Sequence, residues 1–294
     1  MNQLLDLLNI RQPESYAGTA LTPIPPIEPI LTSPPEVSIP IKSVPGSTRG
    51  LLYSSFNQGS AGEVEISAGQ AKHVMPGIHI TAYSQFPVYK VDTRIPIAPL
   101  TIHGETPSLY PAQGFFHKVK NAGLGPYNYT IFLDTDIYIV KSIEGIFELL
   151  ETGKYHLAVV PDISPFTHEV PNCFPSFNTG LIAYDDSPET KEFFALWWKY
   201  FEEKGSWASD QQTFQKALYD SGLKFISLPR EYNLRFIFPI QFCSPVYVLH
   251  GRPVECYKEV AAEMNKYQGD LQLWKPGPDR KVICRHNMGD ILTF

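Results

Sequence analysis

From Leu51 onward, short apolar β-rich runs alternate with stretches whose apolar residues recur at helical spacing. Leu51–Phe56 (LLYSSF) reads as a first strand, followed by a loop over Asn57–Gly62 and a helix over Glu63–His73. Ile78–Tyr83 (IHITAY) is a second strand, and Val88–Asp92 is a candidate third. Gln113–Ala122 carries Phe115, Phe116 and Val119 at helical spacing and ends at Gly123, a C-terminal stop. Tyr129–Leu133 (YTIFL) is apolar enough for a buried central strand. Ser142 is placed to cap a helix over Ile143–Thr152, and Leu157–Val160 forms the next strand. Phe177–Tyr184 reads as a strand, and Ser187-Pro188 as the start of a helix over Glu189–Lys204. That helix carries Phe193, Leu196, Trp197, Tyr200 and Phe201 on one face, a stripe that reads as core. A helix over Gln211–Asp220, a strand over Val246–Leu249 and a helix from Pro253 towards Met264 complete the pattern. Strands alternating with helices predict an α/β fold, a mostly parallel sheet covered on both faces.

Before Leu51 the pattern breaks down. Nine of the 27 prolines fall in the first 50 positions, at 13, 23, 25, 26, 29, 34, 35, 40 and 45. Proline fixes φ and removes an amide donor, so an extended, polyproline-like segment is expected there. Residues 2–10 (NQLLDLLNI) have the pattern of a short amphipathic helix. The expected organisation is a Pro-rich tail or linker over 1–50 and one catalytic domain over 51–294. The tail either acts as a tether or packs its interleaved isoleucines on the body or a partner.

Charge and cysteine content narrow the function. Twenty-four Lys and Arg against 30 Asp and Glu give a net charge of −6, which argues against a nucleic-acid partner. No run approaches the roughly 18 apolar residues of a transmembrane helix, and the N-terminus has no signal-peptide pattern. The four cysteines, Cys173, Cys243, Cys256 and Cys284, form no CxxC pair and read as reduced thiols. A cytoplasmic enzyme is expected.

The candidate chemistry centres on Phe132-Leu133-Asp134-Thr135-Asp136-Ile137-Tyr138. Alternation along a strand puts Asp134 and Asp136 on one side, where the apolar run meets its loop. Two adjacent carboxylates repel unless a cation or a protein base neutralises them. A hard divalent ion, Mn²⁺ or Mg²⁺, takes oxygen ligands and keeps positions open for phosphate. In parallel α/β sheets, ligands gather at the carboxyl ends of strands, where this pair sits.

The segment Ile131–Asp136 resembles the DxD signature of GT-A (Rossmann-like) nucleotide-diphospho-sugar glycosyltransferases, and is most similar to glycosyltransferase family 8. Phe177-Asn178-Thr179-Gly180 resembles that family's F-N-[ST/A]-G segment, Asp210-Gln211 its D-Q pair and His250-Gly251 its late histidine. The resemblance implies a metal held by Asp134, Asp136 and His250, and a nucleotide-sugar donor, with a UDP-sugar favoured. It implies transfer to an acceptor hydroxyl on an unidentified carbohydrate, glycolipid or protein, with retention. Asn178 and the Gly180 amide would bind sugar hydroxyls, as would Asp210. Gln211 would face the reacting carbon through its carbonyl oxygen.

Blander roles stay open for several of these residues. Asn178 can cap a turn, Asp210 can cap its helix and His250 can be a core histidine. Gly251 suggests a close backbone approach. Arg252 stands near where the family has a lysine, and reads either as a diphosphate contact or as a solvated arginine. Tyr53 or Phe56 would stack on the base, Ser54, Ser55 or Asn57 would hydrogen-bond it, and Lys118 is a candidate nucleotide or phosphate contact. No role follows for Lys281–Asn287. Inversion would need a carboxylate base, for which Asp185, Asp186 and Asp210 are available. Two competing functions are a nucleotidyltransferase acting on sugar phosphates and a non-catalytic carbohydrate-binding protein on the same fold.

Overall fold

A computed structural model describes residues 48–98, 110–162, 169–204, 209–267, 269, 271–277 and 281–286. The expected Pro-rich tail, apart from its last three residues, and the helix over 2–10 lie outside these. In chain order the elements are β1 (Arg49–Ser55), α1 (Gln58–Val74), β2 (His79–Ser84), β3 (Thr93–Pro96) and α2 (Tyr110–Ala122). Next come β4 (Tyr129–Leu133), β5 (Ile137–Ile139), α3 (Gly145–Glu151), β6 (Leu157–Pro161) and β7 (Phe177–Asp185). They are followed by α4 (Pro188–Lys204), α5 (Asp210–Ser221), β8 (Phe225–Ser227), β9 (Leu234–Arg235) and β10 (Ile240–Cys243). The chain continues through β11 (Val248–His250), α6 (Tyr257–Met264), β12 (Leu271–Lys275) and β13 (Lys281–His286).

The main sheet has seven strands in the order β3-β2-β1-β4-β7-β6-β8. All its pairings are parallel except β7's, which runs antiparallel to both β4 and β6. It is therefore mostly parallel, with helices on both faces, as the alternating pattern predicts. Leu51, Tyr53, Ile131 and Leu133 point to the face covered by α1 and α3, where Val64, Ala68, Phe147 and Leu150 pack. Leu52, Phe132 and Ile182 point the other way, against Val119, Phe193, Trp197 and Phe214 of α2, α4 and α5. A strand buried on both faces must be apolar throughout, which is why β4 reads as a continuous hydrophobic run.

A third apolar cluster lies C-terminal to this sheet, with Tyr138, Leu249, Phe242, Tyr257 and Trp274 at its centre. Two three-stranded sheets surround it, β5-β11-β9 and β10-β12-β13. Lys281–His286, which carried no expected role, is the strand β13 that pairs with β12.

Several local expectations need correction. The first helix begins at Gln58, not Glu63, because Asn57 and Ser60 form a capping box: Asn57 Oδ1 accepts from Ser60 N at 2.7 Å, and Ser60 Oγ accepts from Asn57 N at 3.1 Å. The third strand lies at Thr93–Pro96 and not over 88–92, where the Asp92 carboxylate instead accepts the Ile80 amide. The helix α3 starts at Gly145 with no side-chain cap, while Ser142 only contacts Glu144. Ser209, not Asp210, is the N-cap position of α5, and the Asp210 carboxylate is used elsewhere.

Candidate active site

Asp134 and Asp136 lie in the turn between β4 and β5, just past the carboxyl end of β4. Strand alternation therefore does not bring them together; the turn and the neighbouring ladder do. The Asp134 amide donates to Gly180 O at 2.8 Å, which locks the turn to β7. Antiparallel pairing sets His250 of β11 opposite Ile137 of β5, and Gly251 N donates to Asp136 O at 3.0 Å. Together these contacts bring residue 250 to the pair of aspartates.

One ligand atom from each of Asp134, Asp136 and His250 lies within 4.8 Å of the other two. His250 Nε2 is 3.5 Å from Asp136 Oδ1 and 3.8 Å from Asp134 Oδ2, too long for ordinary hydrogen bonds. Its other nitrogen, Nδ1, is buried without a hydrogen-bond partner, so no bond at that end holds the ring. The ring rests on Gly180, where a Cβ would stand 2.4 Å from His250 Cε1 and 2.7 Å from Nδ1. Two carboxylates and an imidazole that face one another without direct bonds fit a divalent cation such as Mn²⁺ or Mg²⁺.

Two protein cations flank this centre. Lys118 of α2 donates to Asp134 Oδ2 at 2.8 Å and to Thr179 Oγ1 at 2.9 Å, and pairs with Asp210 Oδ2 at 2.8 Å. Thr179 in turn donates to Asp210 Oδ2 at 2.6 Å. Burial lowers the Lys118 pKa, but the two carboxylates outweigh it and hold the ammonium well above the ordinary lysine value. Burial likewise raises Asp210, and Lys118 with Thr179 reverses that, leaving it below the ordinary carboxylate range. An ammonium has three donors, and all three are engaged here. Lys118 thus stands at the cleft as the tie between Asp134 and Asp210, with no donor left over for a phosphate.

Arg252 is the second cation: its Nη1 donates to Asp136 Oδ2 at 3.0 Å. For Asp136, the upward push of burial is outweighed by His250 and Arg252, which hold it well below the usual carboxylate range.

The centre forms the floor of a cleft of about 670 Å³ whose walls include Ser54, Phe56, Phe115, Asn178, Gln211 and Arg235. Gln211 Nε2 donates to Asp162 Oδ2 at 2.9 Å, so its carbonyl oxygen is the end left for a ligand. Asn178 Oδ1 accepts from Gly180 N and Asn233 Nδ2, both at 2.8 Å, which leaves its NH₂ as the donor. The β6–β7 register shifts at Val159/Val160, so that Thr179, Gly180 and Leu181 lie between Asn178, paired with Val160, and Ile182, paired with Val159. Ser54 Oγ lies between Asn121 Nδ2 and His117 O. Phe56 stacks on His117, with ring centroids 6.4 Å apart and planes 15° apart.

The remaining expected residues fall differently. Tyr53 is completely buried under α1, with its hydroxyl 2.9 Å from Ser67 Oγ, and cannot stack on a base. Asn57 caps α1 and does not line the cleft. The Gly180 amide is taken by Asn178, so it is not available to a sugar; this glycine makes room for His250 instead. Gly251 adopts φ +125°, a conformation that glycine favours, and backs onto Ile237. Asp185 is tied to Ser187, Thr190 and His156, and Asp186 to Lys191, so neither lines the cleft.

Sequence reasoning missed Glu63, Thr179, Asp162 and Arg235. Thr179 sits inside the Phe177–Gly180 segment, where a hydroxyl beside Asn178 was legible. Glu63 and Asp162 owe their places to partners distant in sequence and leave no local signal.

Among the described residues, no helix is long and apolar enough to cross a membrane. No family of known proteins matches the sequence, and no curated protein matches it. Solved structures do. A bifunctional glycosyltransferase, WbbM, aligns with 66% of this chain and 40% of its own at 17% identity, with a TM-score of 0.50. The galactosyltransferase LgtC, solved with donor and acceptor sugar analogues, aligns with 73% of this chain and 96% of its own at 12% identity, with a TM-score of 0.49. Mouse xyloside xylosyltransferase 1 aligns with 69% of this chain and 97% of its own at 13% identity, with a TM-score of 0.47. At these identities the likeness concerns the fold alone, an α/β domain like those of these glycosyltransferases.

Proposed function

We propose that the protein is a divalent-metal-dependent glycosyltransferase that moves a sugar from a nucleoside-diphosphate-sugar donor, favourably a UDP-sugar, to an acceptor hydroxyl with retention. The observation that carries this reading is the convergence of Asp134, Asp136 and His250 within 4.8 Å on the floor of the cleft. When bound there, Mn²⁺ or Mg²⁺ supplies charge neutralisation for the departing diphosphate.

The chain's own residues do the rest. Asp134, Asp136 and His250 hold the cation, and Lys118 fixes Asp134 and Asp210 in place, holding Asp210 below the ordinary carboxylate range while burial raises Asp134 in spite of it. The Arg252 guanidinium, at the cleft beside Asp136, suits a diphosphate oxygen pair. Phe56 and Phe115 offer apolar surface for the base, and Ser54 a polar edge. The Asn178 amide and the Asp210 carboxylate serve sugar hydroxyls. Gln211 Oε1, oriented by Asp162, faces the developing positive charge at the reacting carbon.

Retention is supported by how the cleft's carboxylates are engaged: Glu63, which also lines it, is held by Arg252 and Thr135. Of the three carboxylates that could act as an inverting base, Asp210 alone lines the cleft, and it is buried against Lys118 and Thr179. A nucleotidyltransferase is disfavoured because residues 58–62, where its phosphate loop would lie, are the first turn of α1. We assign 1–48 to a tail outside the catalytic domain, which opens with β1 at Arg49. The test is a screen of nucleotide-sugar hydrolysis with and without Mn²⁺. Metal-dependent release of a nucleoside diphosphate and free sugar from one donor is expected; release of a nucleoside monophosphate with sugar 1-phosphate, or no release from any donor, contradicts the proposal.

A further inference from the structure

Arg252 has a second partner. Its Nε and Nη2 donate to Glu63 Oε1 and Oε2 at 2.5 and 2.8 Å, a two-pronged ion pair across 189 positions of sequence. Glu63, on α1, also accepts from Thr135 Oγ1 at 2.5 Å, inside the Asp134–Asp136 turn. The Glu63 side chain is 15% exposed and that of Arg252 60% exposed, so the carboxylate is the buried member and the arginine the one open to the cleft. The arginine thus bridges two anions, Glu63 and Asp136, one of which is also a candidate metal ligand.

We propose that Glu63 is a positioning residue that parks Arg252 against Asp136, so that cation binding and diphosphate binding promote each other by moving this one arginine. This rests on the metal reading of Asp134, Asp136 and His250. A guanidinium 3.0 Å from Asp136 Oδ2 opposes a divalent ion on the same carboxylate, and Glu63 moderates that opposition by sharing the positive charge. A cation on Asp136 weakens the Arg252–Asp136 contact and releases the guanidinium. A diphosphate then offers it a bidentate anionic partner, which removes its charge from the metal site. The coupling is reciprocal, as linkage requires.

The test measures Mn²⁺ affinity by calorimetry without nucleotide for the wild type, R252Q, E63Q and the double variant, with melting curves to confirm folding. R252Q is expected to bind Mn²⁺ about fivefold more tightly or better, and E63Q more weakly by a similar factor. The double variant is expected near the wild type, because the deleted pair carries no net charge. With Mn²⁺ saturating, inorganic pyrophosphate is expected to bind R252Q more weakly than the wild type. Unchanged or weakened Mn²⁺ binding in R252Q, a double variant that follows E63Q, or unchanged pyrophosphate binding would overturn the inference while leaving the metal site intact. A wild type that binds no Mn²⁺ removes the metal reading itself, and this inference with it.

Discussion

At Gly180, an added Cβ would stand closer to the His250 ring than carbon contacts allow, and the ring has no hydrogen bond at Nδ1 to hold it against the push. Gly180→Ala is therefore expected to turn the imidazole away and weaken Mn²⁺ binding about 10- to 100-fold, the usual scale for groups that orient a ligand, with little change in melting temperature. Lys118 makes the opposite kind of contribution. With its side chain 10% exposed between Asp134 and Asp210, Lys118→Met leaves two mostly buried carboxylates without their cation. A loss of about 3–5 kcal/mol in urea unfolding is expected. His117, buried behind Phe56, is pushed down from 6.5 to about 4 by burial and secondarily by Lys120. The unfolded chain takes up this proton below about pH 6.5 and the folded one only near 4, so stability falls as pH drops through that window, by up to about 3 kcal/mol. His117→Phe is expected to flatten this part of the stability–pH profile.

At the level of elements, the site is assembled by contacts that join distant segments. β4 delivers the aspartates, β7 the Asn178–Gly180 segment, α2 Lys118, and β11 His250. The helix α1 contributes through its start: the Asn57–Ser60 capping box begins the helix early enough to bring Glu63 to the cleft. Asn57→Ala is expected to cost about 1 kcal/mol in chemical denaturation. The apolar strands and the stripe on α4 were legible because burial on both faces of the sheet leaves a direct imprint on composition. The start of α1 was not, because Gly59 and Gly62 read as loop residues when the Asn57–Ser60 reciprocity goes unnoticed. The short strands β5, β8, β9 and β10 have two to four residues each, too few to carry a period.

For the molecule as a whole, the α/β architecture and the place of the acidic turn followed from pattern alone, since ligands collect where parallel strands end. The residues of the centre were legible as types: Asp134, Asp136, His250, Asp210 and Gln211 meet in or around one cleft. Their division of labour was not. Whether a group faces a ligand or its own fold depends on its partners: Tyr53, Asn57 and the Gly180 amide are used by the fold, and Lys118, though at the cleft, gives its donors to Asp134, Thr179 and Asp210. The central claim is that Asp134, Asp136 and His250 make nucleotide binding depend on a divalent cation. Calorimetric titration of UDP and GDP with and without Mn²⁺, on the wild type and Asp136→Asn, tests it most directly. One nucleotide should bind the wild type at least tenfold more tightly with Mn²⁺, a difference of about 1.4 kcal/mol, and Asp136→Asn should lose that gain. Equal binding with and without Mn²⁺, or a metal effect that survives in Asp136→Asn, would contradict it.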